Sequence, residues 1–220
     1  MPQPGAVAGE TLEPMSAMRK GIAEHMRRSL DTAAHVTSAI EVDFSRIVAA
    51  REKLKKEYQS AYGVNPTYLS FIAKATVETL RDYPYVNAEM RGDSIVSRNF
   101  VNLGIAVELA DGKGLIVPVL RNAESLNLLG LAKGVVDIAS RARNKQLVPD
   151  DVQGGTFTIT NPGGYGTFHG TPIKYMNGLN RIARSVKIRK TTLSTQVRAL
   201  SGPRNEPKTL CQIHMIPEIG

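Results

Sequence analysis

Cysteine is almost missing from this chain of 220 residues: Cys211 is the single one, so no internal disulfide can form. That fits a reducing compartment. No stretch of 18 or more apolar residues occurs, so no segment reads as a membrane span. The opening residues, MPQPGAVAGETLEP, have no basic region followed by an apolar one and do not read as a secretory signal. Aromatic residues make up 5%, and they do not interleave with the basic residues of the C-terminal part. A nucleic-acid surface would lack its stacking partners there. The glycine-rich GGYG at 163–166 is not followed by Lys-Ser or Lys-Thr, so it is no phosphate loop. No cluster of residues reads as a metal site.

What is present is ordinary for a water-soluble globular chain: 42% hydrophobic and 22% charged residues. The length suits one sizeable domain, or one domain and an appendage. The net charge of +8 is unevenly spread. Residues 1–173 carry 19 basic against 18 acidic residues, whereas residues 174–220 carry nine basic and two acidic. A neutral body with a basic tail differs from a uniformly basic, nucleic-acid-binding domain.

Residues 1–14, with Pro2, Pro4, Gly5, Gly9 and Pro14, read as the disordered end of a linker. A helix is predicted from Ser16 to Leu30, capped by Ser16, with Met18, Ile22, Met26 and Leu30 on one face. His35 to Phe44 alternates like a half-buried strand, and Ser45 is predicted to cap the helix that follows. Thr67–Leu80 has helical spacing ended by Pro84. Strands are predicted within 86–121, among them one long strand Phe100–Leu109 and another Leu115–Leu120, with turns at Arg91-Gly92-Asp93 and Asp111–Gly114. A helix over Leu126–Arg143 and a strand over Thr156–Thr160 complete the patterned part. Such a mixture predicts an α+β layered fold. The tail 174–220 has no clear period.

Six segments stand in fixed order: MRKGIAEHMRRS (18–29), HVTSAIEVDF (35–44), YPYVNA (83–88), LGIAVELADGKGLIVPVLRNA (103–123), GLAKGVVDIASRAR (130–143) and GGTFTITNPGGYGTFHGTPI (154–173). Together they closely resemble the catalytic domain of the dihydrolipoamide acyltransferase components of the pyruvate, 2-oxoglutarate and branched-chain 2-oxoacid dehydrogenase complexes. The resemblance covers residues 15–173. It implies a chloramphenicol acetyltransferase-like fold, a mixed sheet with packed helices, here truncated. It further implies a homotrimer that builds a larger core, served by oxoacid decarboxylase and dihydrolipoamide dehydrogenase components. Its site is a channel between subunits, entered by coenzyme A from one end and by dihydrolipoamide, carried on a lipoyl domain not present in this chain, from the other. A cytoplasmic location is the expectation.

The chemistry passes an acyl group between two thiols. A thiol of pKa near 8.5 is mostly protonated at neutral pH. A histidine must therefore take its proton, and a hydroxyl can stabilise the oxyanion of the tetrahedral intermediate. The resemblance puts that hydroxyl at Thr160, in the FTI[ST]N motif; the alternative is a threonine that merely favours a strand. It puts His35 in the substrate channel. It puts Arg19 and Ser29 at the coenzyme A site, where phosphates call for cationic and hydrogen-bonding partners; an ion pair with a purely structural role is an equal reading of Arg19. His25 reads as part of a solvated face and His169 as a loop residue.

The family's base lies in a C-terminal DHRxxDG motif, and no Asp-His-Arg occurs in this sequence. His214, in HMIPEIG, lacks the flanking residues and has Glu218 in place of the aspartate. After Ile173 the sequence departs from the family pattern, and a shift of reading frame, a gene-model error or an assembly artefact near codon 174 is the expected cause. The chain divides on this reading into a linker (1–14), a partial acyltransferase domain (15–173) and a basic non-family tail (174–220). As written it is predicted to be inactive, marginally stable and prone to aggregate. Two other functions compete: a non-catalytic core-assembly protein, and a nucleic-acid binder acting through the tail.

Overall fold

The computed structural model describes residues 5, 7–32, 35, 37, 40, 42–109 and 114–161. The reversal at 110–113, His169, His214 and the whole tail 174–220 lie outside the described residues.

Four helices and seven short strands make up the described part: α1 Ala17–Thr32, α2 Ser45–Tyr62, α3 Tyr68–Asp82, β1 Glu89–Arg91, β2 Ser94–Val96, β3 Leu103–Ile105, β4 Val107–Glu108, β5 Leu115–Ile116, β6 Val119–Leu120, α4 Leu128–Arg143 and β7 Phe157–Ile159. Single 3₁₀ turns at Pro84–Asn87, Ala123–Ser125 and Pro149–Val152 connect them. The central sheet has the order β6-β3-β7. β3 is antiparallel to β6 and parallel to β7, so the sheet is mixed, as expected.

The core forms where α3 and α4 lie together. Ile72, Ala73, Val77 and Leu80 recur at helical spacing on α3, and Leu131, Val135, Ile138 and Ala142 do so on α4; all are buried. Leu103, Ile105, Phe157 and Ile159 supply the sheet face of the same cluster. Each large aliphatic side chain so placed contributes roughly 1.5–3 kcal/mol. α4 begins as its sequence dictates: the Asn127 side chain accepts the Gly130 N–H at 2.8 Å. α2 ends at Gly63, which takes the left-handed conformation and donates its N–H to the Gln59 carbonyl.

Four expectations need correcting. The stretch Phe100–Leu109 is not one strand: it changes sheets at Ala106, β3 joining the central sheet and β4 pairing with β5. Likewise Leu115–Leu120 divides at Val117-Pro118, where proline has no N–H to offer a ladder. Ser45 is the first residue of α2 rather than its cap; of the expected strand before it, residues 36, 38, 39 and 41 lie outside the described residues, and the described ones are not in a strand. The Ser45 N–H is instead bonded to the Asp43 carboxylate at 2.8 Å. Finally, the predicted core stripe of α1 is largely open: Met18 is 49% and Leu30 44% exposed, and Ser29 is the only buried residue of the helix. Met18 does lie beside the start of β5, its thioether close to Gly114. Ser16 caps α1 as predicted, accepting the Arg19 N–H at 3.3 Å.

Candidate functional site

Thr160 follows β7 directly. The parallel ladder pairs Leu103 with Phe157, Gly104 with Thr158 and Ile105 with Ile159. One further bond, Ala106 N–H to the Ile159 carbonyl at 3.0 Å, carries the pairing to the edge of Thr160. Phe157 and Ile159 face the core while Thr158 is exposed. Continuing that alternation sets Thr160 on the outer face with Thr158, and it is half-buried. Its hydroxyl takes no hydrogen-bond partner among the described residues, which leaves a donor available.

That outer face is kept low. Gly104 sits opposite Thr158, and a methyl group there would meet Thr158 Oγ1 at 2.9 Å and Val117 Cγ1 at 3.0 Å. A similar restriction holds below the sheet, where a methyl at Gly134 of α4 would meet Leu120 Cδ1 at 2.7 Å.

The loop leading into β7 is held from several directions. Asn102, 8% exposed, donates from Nδ2 to the Gly154 carbonyl at 2.9 Å and accepts the Asn122 N–H at 3.0 Å. Thr156, 1% exposed, exchanges hydrogen bonds with the Asn102 main chain. Arg121 donates to the carbonyls of Asp150 (2.9 Å) and Gln153 (3.5 Å) and pairs with the Asp150 carboxylate at 3.1 Å. Arg141 of α4 bridges Asp137 (3.0 Å) and Asp151 (2.7 Å). The Val148 N–H, and then Arg141, hold the Asp151 carboxyl below its ordinary pKa; the hydrogen bonds to Asp151 and Asp137 raise that of Arg141. None of Asn102, Gly104 and Thr156 was among the predicted site residues. The signal for Asn102 was a polar side chain inside an apolar run.

The remaining candidates lie on α1 or just after it. Arg19 is exposed in the first turn of α1 and makes no ion pair among the described residues, so the structural-ion-pair reading finds no partner there. Ser29 is buried ten residues further along the same helix, and His35 is half-buried beyond its end. Thr160 makes no hydrogen bond to Arg19, Ser29 or His35. His25 is half-buried, not on a solvated face. A separate cluster lies at β1: buried Glu89 pairs with buried Arg98 and with exposed Arg91 (3.0 Å), and Asn87 donates to the Phe100 carbonyl at 2.8 Å. Burial lowers the pKa of Arg98.

The 2-oxoacid dehydrogenases acyltransferase (catalytic domain) family matches residues 7–181. The chain belongs to this acyltransferase family. It is 40% identical over 159 residues to the dihydrolipoyllysine-residue succinyltransferase component of the 2-oxoglutarate dehydrogenase complex of Rickettsia bellii, covering 72% of this chain and 39% of that protein. It is 36% identical over 164 residues to the lipoamide acyltransferase component of the branched-chain alpha-keto acid dehydrogenase complex of Bacillus subtilis, covering 74% of this chain and 38% of that protein. The chain thus spans about two fifths of the length of the curated relatives it matches. Among solved structures, the cubic core of a pyruvate dehydrogenase multienzyme complex superposes with a TM-score of 0.71 at 33% identity, covering 80% of this chain and 74% of that one. The α+β fold expected from the motifs is the fold of this acyltransferase family. Among the described residues, no helix is long and apolar enough to cross a membrane.

Proposed function

We propose that this chain contributes to an acyltransferase site that moves an acyl group between dihydrolipoamide and coenzyme A. The observation that supports the reading is Thr160, whose hydroxyl has no hydrogen-bond partner among the described residues, at the end of a strand that pairs with β3. One thiol loses its proton to a base and its sulfur attacks the thioester carbonyl. Thr160 donates a hydrogen bond to the resulting oxyanion, a contribution of about 2.7–4 kcal/mol in comparable sites. Collapse of the intermediate breaks the original carbon–sulfur bond, and the departing thiolate recovers the proton. Arg19 and Ser29 are assigned to coenzyme A and His35 to the substrate channel. Lipoamide arrives on a lipoyl domain of another segment or chain. The working form is proposed as a homotrimer within a larger cytoplasmic core, together with oxoacid decarboxylase and dihydrolipoamide dehydrogenase components.

The 220 residues contain no Asp-His-Arg to act as base, so the chain alone is proposed to be inactive, with 15–173 as its acyltransferase portion. The same absence favours a second reading, a core-assembly protein without turnover. Calorimetry and a thioester assay on the purified chain test these together. Coenzyme A should bind and Arg19→Ala should weaken it several-fold, with no acyl transfer above background. Turnover by the chain alone would overturn the claim of inactivity, and no binding would overturn the cofactor assignment. In a complex with restored turnover, Thr160→Val should lower kcat by about 10²–10³ and Thr160→Ser should retain it; equal rates for both would remove Thr160 from the mechanism.

A further inference from the structure

The segment bearing Thr160 reaches its strand through irregular backbone, with Gly154 at φ +72° and Thr156 buried. Buried main-chain groups in such a segment need fixed partners, and Asn102 supplies most of them. Its Nδ2 donates to the Gly154 carbonyl at 2.9 Å. Its main-chain N–H donates to Thr156 Oγ1 at 3.0 Å, and its carbonyl accepts from the N–H groups of Thr156 (2.7 Å) and Phe157 (3.3 Å). Its Oδ1 accepts the Asn122 N–H at 3.0 Å, just beyond β6. One residue ahead of β3 therefore ties the approach to β7 to the exit from β6.

We propose that Asn102 and Thr156 form a positioning pair that sets the register of β7 against β3 and so the place at which the Thr160 hydroxyl is presented; this rests on the reading of Thr160 as the oxyanion donor. The need is physical. β3 and β7 pair over only three residues each. A slip of one residue would turn Thr160 to the opposite face. The backbone ladder repeats along the strand and does not by itself forbid that slip. The Asn102–Gly154 and Asn102–Thr156 bonds do, because side-chain partners exist at one register only. Arg121 also grips this loop, but farther upstream at Asp150 and Gln153 and with 43% of its side chain exposed. It holds the loop without setting the strand.

The test uses the 220-residue chain and does not require turnover. Hydrogen exchange at the Ala106 N–H, which is bonded to Ile159, reads the register next to Thr160, and the Thr160 methyl resonance reads its surroundings. Asn102→Ala and Thr156→Val should speed Ala106 exchange by about tenfold or more and move the Thr160 resonance. The amides of Val77 and Val135, in α3 and α4, should keep their protection, and Thr156→Ser should restore both readouts. If Asn102→Ala does not fold, the comparison of Thr156→Val with Thr156→Ser decides, since the first conserves shape and the second the hydroxyl. Unchanged Ala106 exchange, or protection lost equally at all amides, would overturn the proposal. Failure of Thr160→Val to affect acyl transfer would remove the oxyanion role while leaving this exchange result standing.

Discussion

Gly104→Ala examines the low outer face of the central sheet with a single methyl group. The new Cβ would lie 2.9 Å from Thr158 Oγ1, 3.0 Å from Val117 Cγ1 and 3.5 Å from the Phe157 carbonyl oxygen. The first two are well inside van der Waals contact, and both belong to β-branched side chains with little χ1 freedom. Overpacking of this kind costs about 1–3 kcal/mol. Restricting the unfolded chain by replacing glycine returns about 0.4–1 kcal/mol. The net expectation is a loss of about 1–2 kcal/mol, a fall in Tm of roughly 2–8 °C for a domain of this size. Thermal and urea unfolding followed by circular dichroism measure it. The double variant Gly104→Ala/Thr158→Ala should be more stable than the sum of its parts by at least about 0.5 kcal/mol, because the closest contact is gone. Gly21→Ala is the control: no heavy atom lies within 4 Å of its Cβ position, so it should stabilise α1 by up to about 1 kcal/mol. A Gly104→Ala variant as stable as its parent, or strict additivity with Thr158→Ala, would refute the close approach of β3 and β7 side chains.

Two further outcomes follow from the ion pairs. Arg98 is 7% and Glu89 4% exposed at the side chain, so Glu89→Ala strands a buried guanidinium and should cost about 3–5 kcal/mol, read as a fall in the urea midpoint; Glu89→Ala with Arg98→Met should recover much of it. Asp151 has a folded pKa below its ordinary value of 3.8, so its stabilisation is complete above that value and is lost as the pH falls through the folded pKa. The Tm gap between the parent and Asp151→Asn should therefore be widest at neutral pH and close below pH 3.8; a gap that widens on acidification would contradict the assignment.

Helices were legible where periodicity was strong. The stripe of Leu128, Leu131, Val135, Ile138 and Ala142 located α4, because that signal is local in sequence; the Asn127 cap went unread, and the expected start at Leu126 fell two residues early. Periodicity misled on α1, since Met18 and Leu30 repeat every fourth residue whether or not a partner covers them. Strands were harder. The apolar run 100–109 carries no mark of the change of sheet at Ala106, which depends on pairing with β5, β6 and β7 from distant parts of the chain. The candidate site divides in the same way. Thr160 could be found by its motif. The residues around it could not, because Asn102 and Thr156 matter through bonds between positions 54 apart in sequence, and Gly104 matters through the bulk of its neighbours.

Helix α1 has a single buried residue, Ser29, while Arg19 stands in solvent ten residues earlier. At a rise of about 1.5 Å per residue the two lie some 15 Å apart along the axis. A coenzyme A molecule gripped at both points would act as a splint along the helix. Its affinity and the helix's attachment to the body are linked only in so far as the attached helix binds it more tightly than the detached one, and then each strengthens the other by the same factor. Whatever detaches α1 would then weaken coenzyme A by no more than that difference in affinity.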